Sequence, residues 1–148
     1  MKAKIFILLL SFSLFSCDPY IFRVAIDGNS FEKSFNFECG KIDISGHVLA
    51  NSQTSIFLKF NLSSPIMINP ENMKAVHKGE LLAAEVFLSN VGLMDKAKAI
   101  NNNDEVRIII DRVIKSGDTI TVNIDDFILC ADIPFNIGDV NFIFVHRN

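Results

Sequence analysis

The chain has 148 residues, a formal net charge of −3 and 49% hydrophobic residues, with 14 Phe, one Tyr and no Trp. That apolar content excludes a disordered stalk, and the lack of any Lys/Arg cluster in the sequence excludes a phosphate-binding surface for nucleic acid. The length holds one domain with a substantial core and is too short for two ordinary ones.

The first element is a leader. Lys2 and Lys4 precede an apolar run of 11 residues, Ile5 to Phe15, interrupted only by Ser11 and Ser13. A spanning helix needs roughly 20 apolar residues, so this run has the length of a secretory signal core instead. It ends in Leu14-Phe15-Ser16-Cys17, which resembles the lipobox of bacterial lipoproteins: an aliphatic residue, a loosely constrained one, a small one, then Cys. The resemblance covers the first 17 residues only, and Phe15 is bulkier than the pattern usually carries at its position. It implies a signal peptide over 1–16, cleavage before Cys17, diacylglyceration of the Cys17 thiol, acylation of the new amine, and a mature domain over 17–148. An ordinary cleaved signal with an incidental Cys is the alternative.

Each buried methylene of an acyl chain contributes about 0.8 kcal/mol, so two or three chains hold a protein at a membrane where one is marginal. Losing Lys2 and Lys4 takes the net charge from −3 to −5. Asp18 resembles an inner-membrane retention signal of some Gram-negative bacteria, a rule that varies between lineages, so the leaflet stays open.

Beyond the leader the dominant period is two. Phe22, Val24 and Ile26 alternate with polar or small residues, and Asp27-Gly28-Asn29 suits a tight turn. Phe31, Phe35 and Phe37 keep parity after it, so residues 20–38 predict a first hairpin. Ile42 and Ile44 open a strand ending near Val48. In SIFLKFNL, Ile56, Leu58, Phe60 and Leu62 face one way and Phe57, Lys59 and Asn61 the other. Asn69-Pro70-Glu71 supplies a helix cap and a first-turn proline. Lys78-Gly79 breaks any helix early, however, so a turn followed by a strand through His77 is expected.

Residues 83–88 read as a strand or a helix end, and LMDKAKAINNND as a loop. EVRIIID, TITVNID after a turn at 115–118, residues 127–130 and residues 141–146 bring the total to roughly nine strands. In TITVNID, Ile120, Val122 and Ile124 point inward. Regular turn spacing without a long amphipathic helix predicts an all-β fold, a single antiparallel β-sandwich with immunoglobulin-like, Greek-key topology. With no Trp, and with Tyr20 too near the N-terminus for a tyrosine corner, that likeness extends to architecture only.

Cys39 and Cys130 remain once Cys17 is lipidated. In an oxidising compartment such a pair suggests a disulfide, which would close about 90 residues and add roughly 4–5 kcal/mol by the chain-entropy relation. Two separate buried thiols are the alternative. His47, His77 and His146 each stand alone, without the convergence that zinc or acid–base chemistry needs. Asp125 and Asp126, adjacent in an extended chain, point to opposite faces. Asn101-Asn102-Asn103-Asp104-Glu105 offers oxygen ligands without the glycine and spacing of an EF-hand loop.

Nucleophile-elbow, P-loop and dinucleotide patterns are missing from the sequence. Asp118-Thr119-Ile120 resembles the tripeptide that some bacterial O-glycosylation systems accept, which implies a glycan on Thr119. A turn entering a strand is the plainer alternative. No metal and no cofactor are expected. The sequence thus points to a membrane-anchored cell-envelope lipoprotein with a noncatalytic binding or scaffold role. Its partner would be an envelope protein or glycan, held through the loops at 74–80 and 93–104. An envelope hydrolase with a loop-built site is the alternative.

Overall fold

A computed structural model describes residues 20–26, 31–49, 53–112 and 117–146. Cys17, Asp18 and the turn expected at Asp27–Asn29 lie outside the described residues. The strands are β1 (Tyr20–Ile26), β2 (Glu32–Phe37), β3 (Gly40–Leu49), β4 (Gln53–Leu62), β5 (Ile66–Ile68), β6 (Lys74–His77), β7 (Glu80–Leu82), β8 (Ala84–Leu88), β9 (Gly92–Leu93), β10 (Lys98–Ile100), β11 (Glu105–Asp111), β12 (Thr119–Asn123), β13 (Ile128–Cys130), β14 (Ile133–Phe135) and β15 (Asp139–His146). One short 3-10 turn, Pro70–Asn72, interrupts them. The protein is an all-β antiparallel sandwich.

Most strands belong to one sheet of order β7-β6-β12-β15-β1-β3-β4-β11-β8-β9, with β2 also on β3. β1 is the joint. It pairs with β15 over Phe22–Ile26 and with β3 over Tyr20–Arg23, so a polar half (β7-β6-β12-β15) and an aromatic half (β3-β4-β11-β8-β9) meet along it. A second sheet, β10-β5-β13-β14, covers part of the interior. Neighbours far apart in sequence, such as β11 between β4 and β8, give the Greek-key crossovers.

The expected hairpin over 20–38 is replaced by another arrangement. β1 and β2 lie one after the other along β3, with Arg23 opposite His47 and Glu32 opposite Ser45. A strand has two edges, and both edges of β1 are taken, by β15 and β3. β3 has ten residues and accommodates both partners.

Period-two alternation decides which side chains enter the core. Ile42 and Ile44 of β3, Ile56, Leu58 and Phe60 of β4, and Val106 and Ile108 of β11 are buried from the aromatic half. Ile120 and Val122 of β12, with Val140 and Phe142 of β15, are buried from the polar half. Ile68, Ile100, Phe127 and Ile128 join them from the smaller sheet and its approaches, and all belong to one cluster. Ile124 is also buried, one residue past the end of β12. Each fully buried aliphatic or Phe side chain contributes about 1.5–3 kcal/mol relative to exposure.

The turns follow from local chemistry. Asn69 Oδ1 accepts the Glu71 N–H and Pro70 enters the first turn, after which β6 begins, as the sequence predicts. Lys78 and Gly79 both have positive φ, the two-residue hairpin conformation whose twist matches the flanking strands. Ala131 and Asp132 adopt the same signs between β13 and β14. Gly40 (φ +143°) is irreplaceable for a further reason: a Cβ there would sit 2.2 Å from the Asn61 carbonyl oxygen.

Cys39 and Cys130 are joined in a disulfide, Cα atoms 5.8 Å apart, across 91 residues of sequence. The bridge fastens the β2–β3 turn to the end of β13. Beside it Phe37 stacks on Phe135, ring centroids 4.7 Å apart.

Candidate functional site

The register that buries one side chain in two must present the others outward, and in the aromatic half these are not uniformly polar. Ser45, Phe57, Arg107, Phe87 and Leu93 are successive cross-strand partners on β3, β4, β11, β8 and β9. They form one outward row across five strands. Phe57, Arg107 and Phe87 are half-buried and Leu93 is 55% exposed. The Arg107 guanidinium lies over the Phe87 ring, 5.6 Å from its centroid. His47, two residues along β3 from Ser45, meets Phe57 edge-on at 5.3 Å.

A shallow depression of about 270 Å³ opens along this row, walled by Phe57 and Phe87 with Ser89, Gly92, Glu105 and Arg107 around them. Two further rows border it. On one side Asp43, Lys59 and Glu105 are neighbours, with Lys59 Nζ 3.8 Å from Glu105 and Lys41 Nζ 2.8 Å from Asp43. The Lys41 ammonium and the Ser34 hydroxyl hold the Asp43 carboxyl below its ordinary range. On the other side stand His47, Ser55, Ile109 and Glu85, of which Ser55 is buried and Ile109 half-buried. Burial keeps His47 below the usual histidine value, and Lys59 adds repulsion to its cation. Arg107, by contrast, has no carboxylate partner among the described residues. Its guanidinium keeps donors available beside two flat apolar walls.

The other residues named from sequence are dispersed. His77 is buried at the end of β6, its Nε2 3.5 Å from Asp118 Oδ2, and neither ring nitrogen completes a hydrogen bond. Lys78 Nζ stands 2.9 Å from the other oxygen of Asp118. Thr119 opens β12 half-buried, next to that engaged carboxylate. His47 lies on the aromatic half and His77 on the polar half, so the two do not converge.

Asp125 accepts the Gly138 N–H at 2.8 Å and the Asn123 amide at 3.4 Å, while the Asp126 N–H donates to Asn136. The asparagine-rich loop is also structural: Asn102 Oδ1 accepts the Leu62 N–H, and Asp104 accepts from the Asn101 backbone and the Asn90 amide. Among the described residues, no three His, Cys, Asp or Glu are grouped to hold a metal ion.

Sequence reasoning missed the row as a unit. Phe57 was legible as pointing away from the core, but Arg107 and Phe87 reach it only through a register that no local pattern announces. Residues 74–80, expected as a contact loop, are mostly the tight β6–β7 hairpin, and 93–104 includes the short strand β10. Against known proteins, no protein-family model, no curated protein and no solved structure matches the chain.

Proposed function

We propose that the chain is a lipoprotein of the bacterial cell envelope, anchored through Cys17, whose sandwich works by contact rather than by turnover. The observation that carries this reading is the 11-residue apolar run ending in Leu14-Phe15-Ser16-Cys17. Only Asp18 and Pro19 separate Cys17 from β1. Such a short tether keeps the domain close to a bilayer and raises its effective concentration there, so a modest binding surface suffices. The aromatic row supports the contact reading, because half-buried rings beside a guanidinium that has no carboxylate partner among the described residues suit recognition of a ligand with apolar faces and polar edges.

Membrane fractionation of the expressed full chain tests the anchor. Wild type is expected to stay with membranes through a carbonate wash and to carry the added mass of its acyl chains, while Cys17→Ser is released. Unchanged association of Cys17→Ser overturns the anchor. Turnover of an envelope substrate by the purified chain, abolished by a single His or Asp substitution, overturns the contact reading.

A further inference from the structure

We propose that the outward row Phe57–Arg107–Phe87 is a binding cleft for one extended, β-linked oligosaccharide chain; this deepens the contact reading above and rests on it. A pyranose ring has an apolar face of C–H groups and a polar rim of hydroxyls. The row has complementary parts: flat rings on β4 and β8, and from β11 a guanidinium that lies over the Phe87 ring and whose planar fork of donors suits adjacent hydroxyls. Glu105 and Ser89 border the same depression and supply acceptors.

Spacing fits as well. Phe57 and Phe87 are separated by one strand, which places them about 10 Å apart by two inter-strand spacings. That separation is comparable to the length of a disaccharide, so alternate sugar rings of a straight chain would meet alternate rings of the protein. Past Phe87 the row continues through exposed Leu93, with exposed Val91 near it.

Width separates this occupant from a protein. Side chains on the same face recur about every 7 Å along a strand; the next rows hold Lys59 and Glu105 on one side, and on the other His47, buried Ser55, half-buried Ile109 and Glu85. The apolar strip is therefore narrow, one side chain wide except at β11, where Ile109 widens it, and several strands long. A stable protein interface takes about 800 Å² from each partner, a broad patch rather than a strip. The Arg107 charge, paired with no carboxylate among the described residues, is already in place for hydroxyl or carbonyl oxygens of such a chain.

The test is calorimetric titration of the detergent-solubilised full chain with chitohexaose and cellohexaose, both straight β-linked chains, against coiled α-linked maltohexaose. At least one β-linked chain is expected to bind and maltohexaose to bind more weakly. Phe87→Leu keeps the volume and loses the flat ring, Arg107→Gln loses the fork, and each should weaken binding about tenfold, or about 1.4 kcal/mol. Thr121→Val, on the polar half, should leave affinity unchanged, and melting curves confirm that all three variants fold.

Failure of both β-linked chains to bind overturns the proposal, as does equal affinity in wild type, Phe87→Leu and Arg107→Gln, or a preference for maltohexaose. Capture of a protein that Phe87→Leu abolishes, with no oligosaccharide bound, reassigns the face and overturns the glycan proposal while leaving the contact reading standing. Cleavage of a bound β-linked chain, with binding still dependent on Phe87 and Arg107, supports the cleft and overturns the contact reading instead.

Discussion

On the β4–β11–β8 side of the sandwich an outward row runs Phe57, Arg107, Phe87; on the β6–β12–β15 side the corresponding rows run Val76, Thr121, Asn141 and Lys74, Asn123, Asp139. Both sides obey the same antiparallel pleat, and both send Ile, Val, Leu or Phe inward. Their outward chemistry differs in how it is satisfied. Thr121 donates to Asn141 at 2.8 Å and Asn123 donates to Asp139 at 2.9 Å, so these two rows close hydrogen bonds within their own surface. Arg107 and its flanking rings do not. A fold needs its inward pattern; an outward row of half-buried rings adds little to the core, and it is on this row that the proposed contact role rests.

The disulfide offers the largest break of this symmetry. It ties the aromatic half to the small sheet and leaves the polar half untouched, so Cys130→Ser should cost about 2–5 kcal/mol in denaturant melts. Hydrogen exchange should then accelerate in β2–β3 and β13 more than in β12–β15. Equal acceleration everywhere would mean the bridge constrains the whole chain rather than one half.

Next come paired core truncations. Ile108 and Ile120 are fully buried on opposite halves of one cluster, so Ile108→Ala and Ile120→Ala should each cost about 2–5 kcal/mol. A large cost in one and a negligible cost in the other would break the claim that the inward faces are equivalent.

A smaller effect has the opposite sign. The Thr54 hydroxyl is buried in the aromatic half without a hydrogen-bond partner. Thr54→Val keeps the shape, removes the unsatisfied oxygen, and should stabilise by about 1 kcal/mol in thermal melts. Destabilisation would show that the hydroxyl has a partner in solution.

Acid supplies the smallest contrast. His47 and Asp43, both on the aromatic half, titrate below their ordinary values, so the unfolded chain takes up protons first. Their contributions are present at neutral pH. The His47 part is lost as pH falls below the ordinary 6.5 towards its lowered folded value, and the Asp43 part below 3.8. Each is under about 1 kcal/mol at a surface position. His47→Gln should flatten the upper step in stability measured against pH; an unchanged step assigns it elsewhere.

The strands of five or more residues were legible because burial of one face imposes alternation on Ile56–Leu58–Phe60 or Ile120–Val122. Strands of two or three residues, such as β5, β7, β9, β10 and β14, hold too few positions for a period to register. The hairpin expected over 20–38 failed for a different reason. Two adjacent alternating runs look like mutual partners in sequence, yet β15, more than a hundred residues away, claims the edge of β1. The same non-local register hides the candidate site: β5 to β7 lie in the chain between Phe57 and Phe87, β9 and β10 between Phe87 and Arg107, and the three meet only when β11 inserts between β4 and β8.

The most direct measurement is an NMR titration of the full chain in detergent, selectively labelled at Phe and Asn, with the β-linked hexasaccharide that binds more tightly. Ring signals of Phe57 and Phe87 should shift together, while buried Phe127 and Phe142 and the Asn123 and Asn141 amides of the polar half stay in place. Shifts concentrated at Asn123 and Asn141, with Phe57 and Phe87 unmoved, would contradict the account.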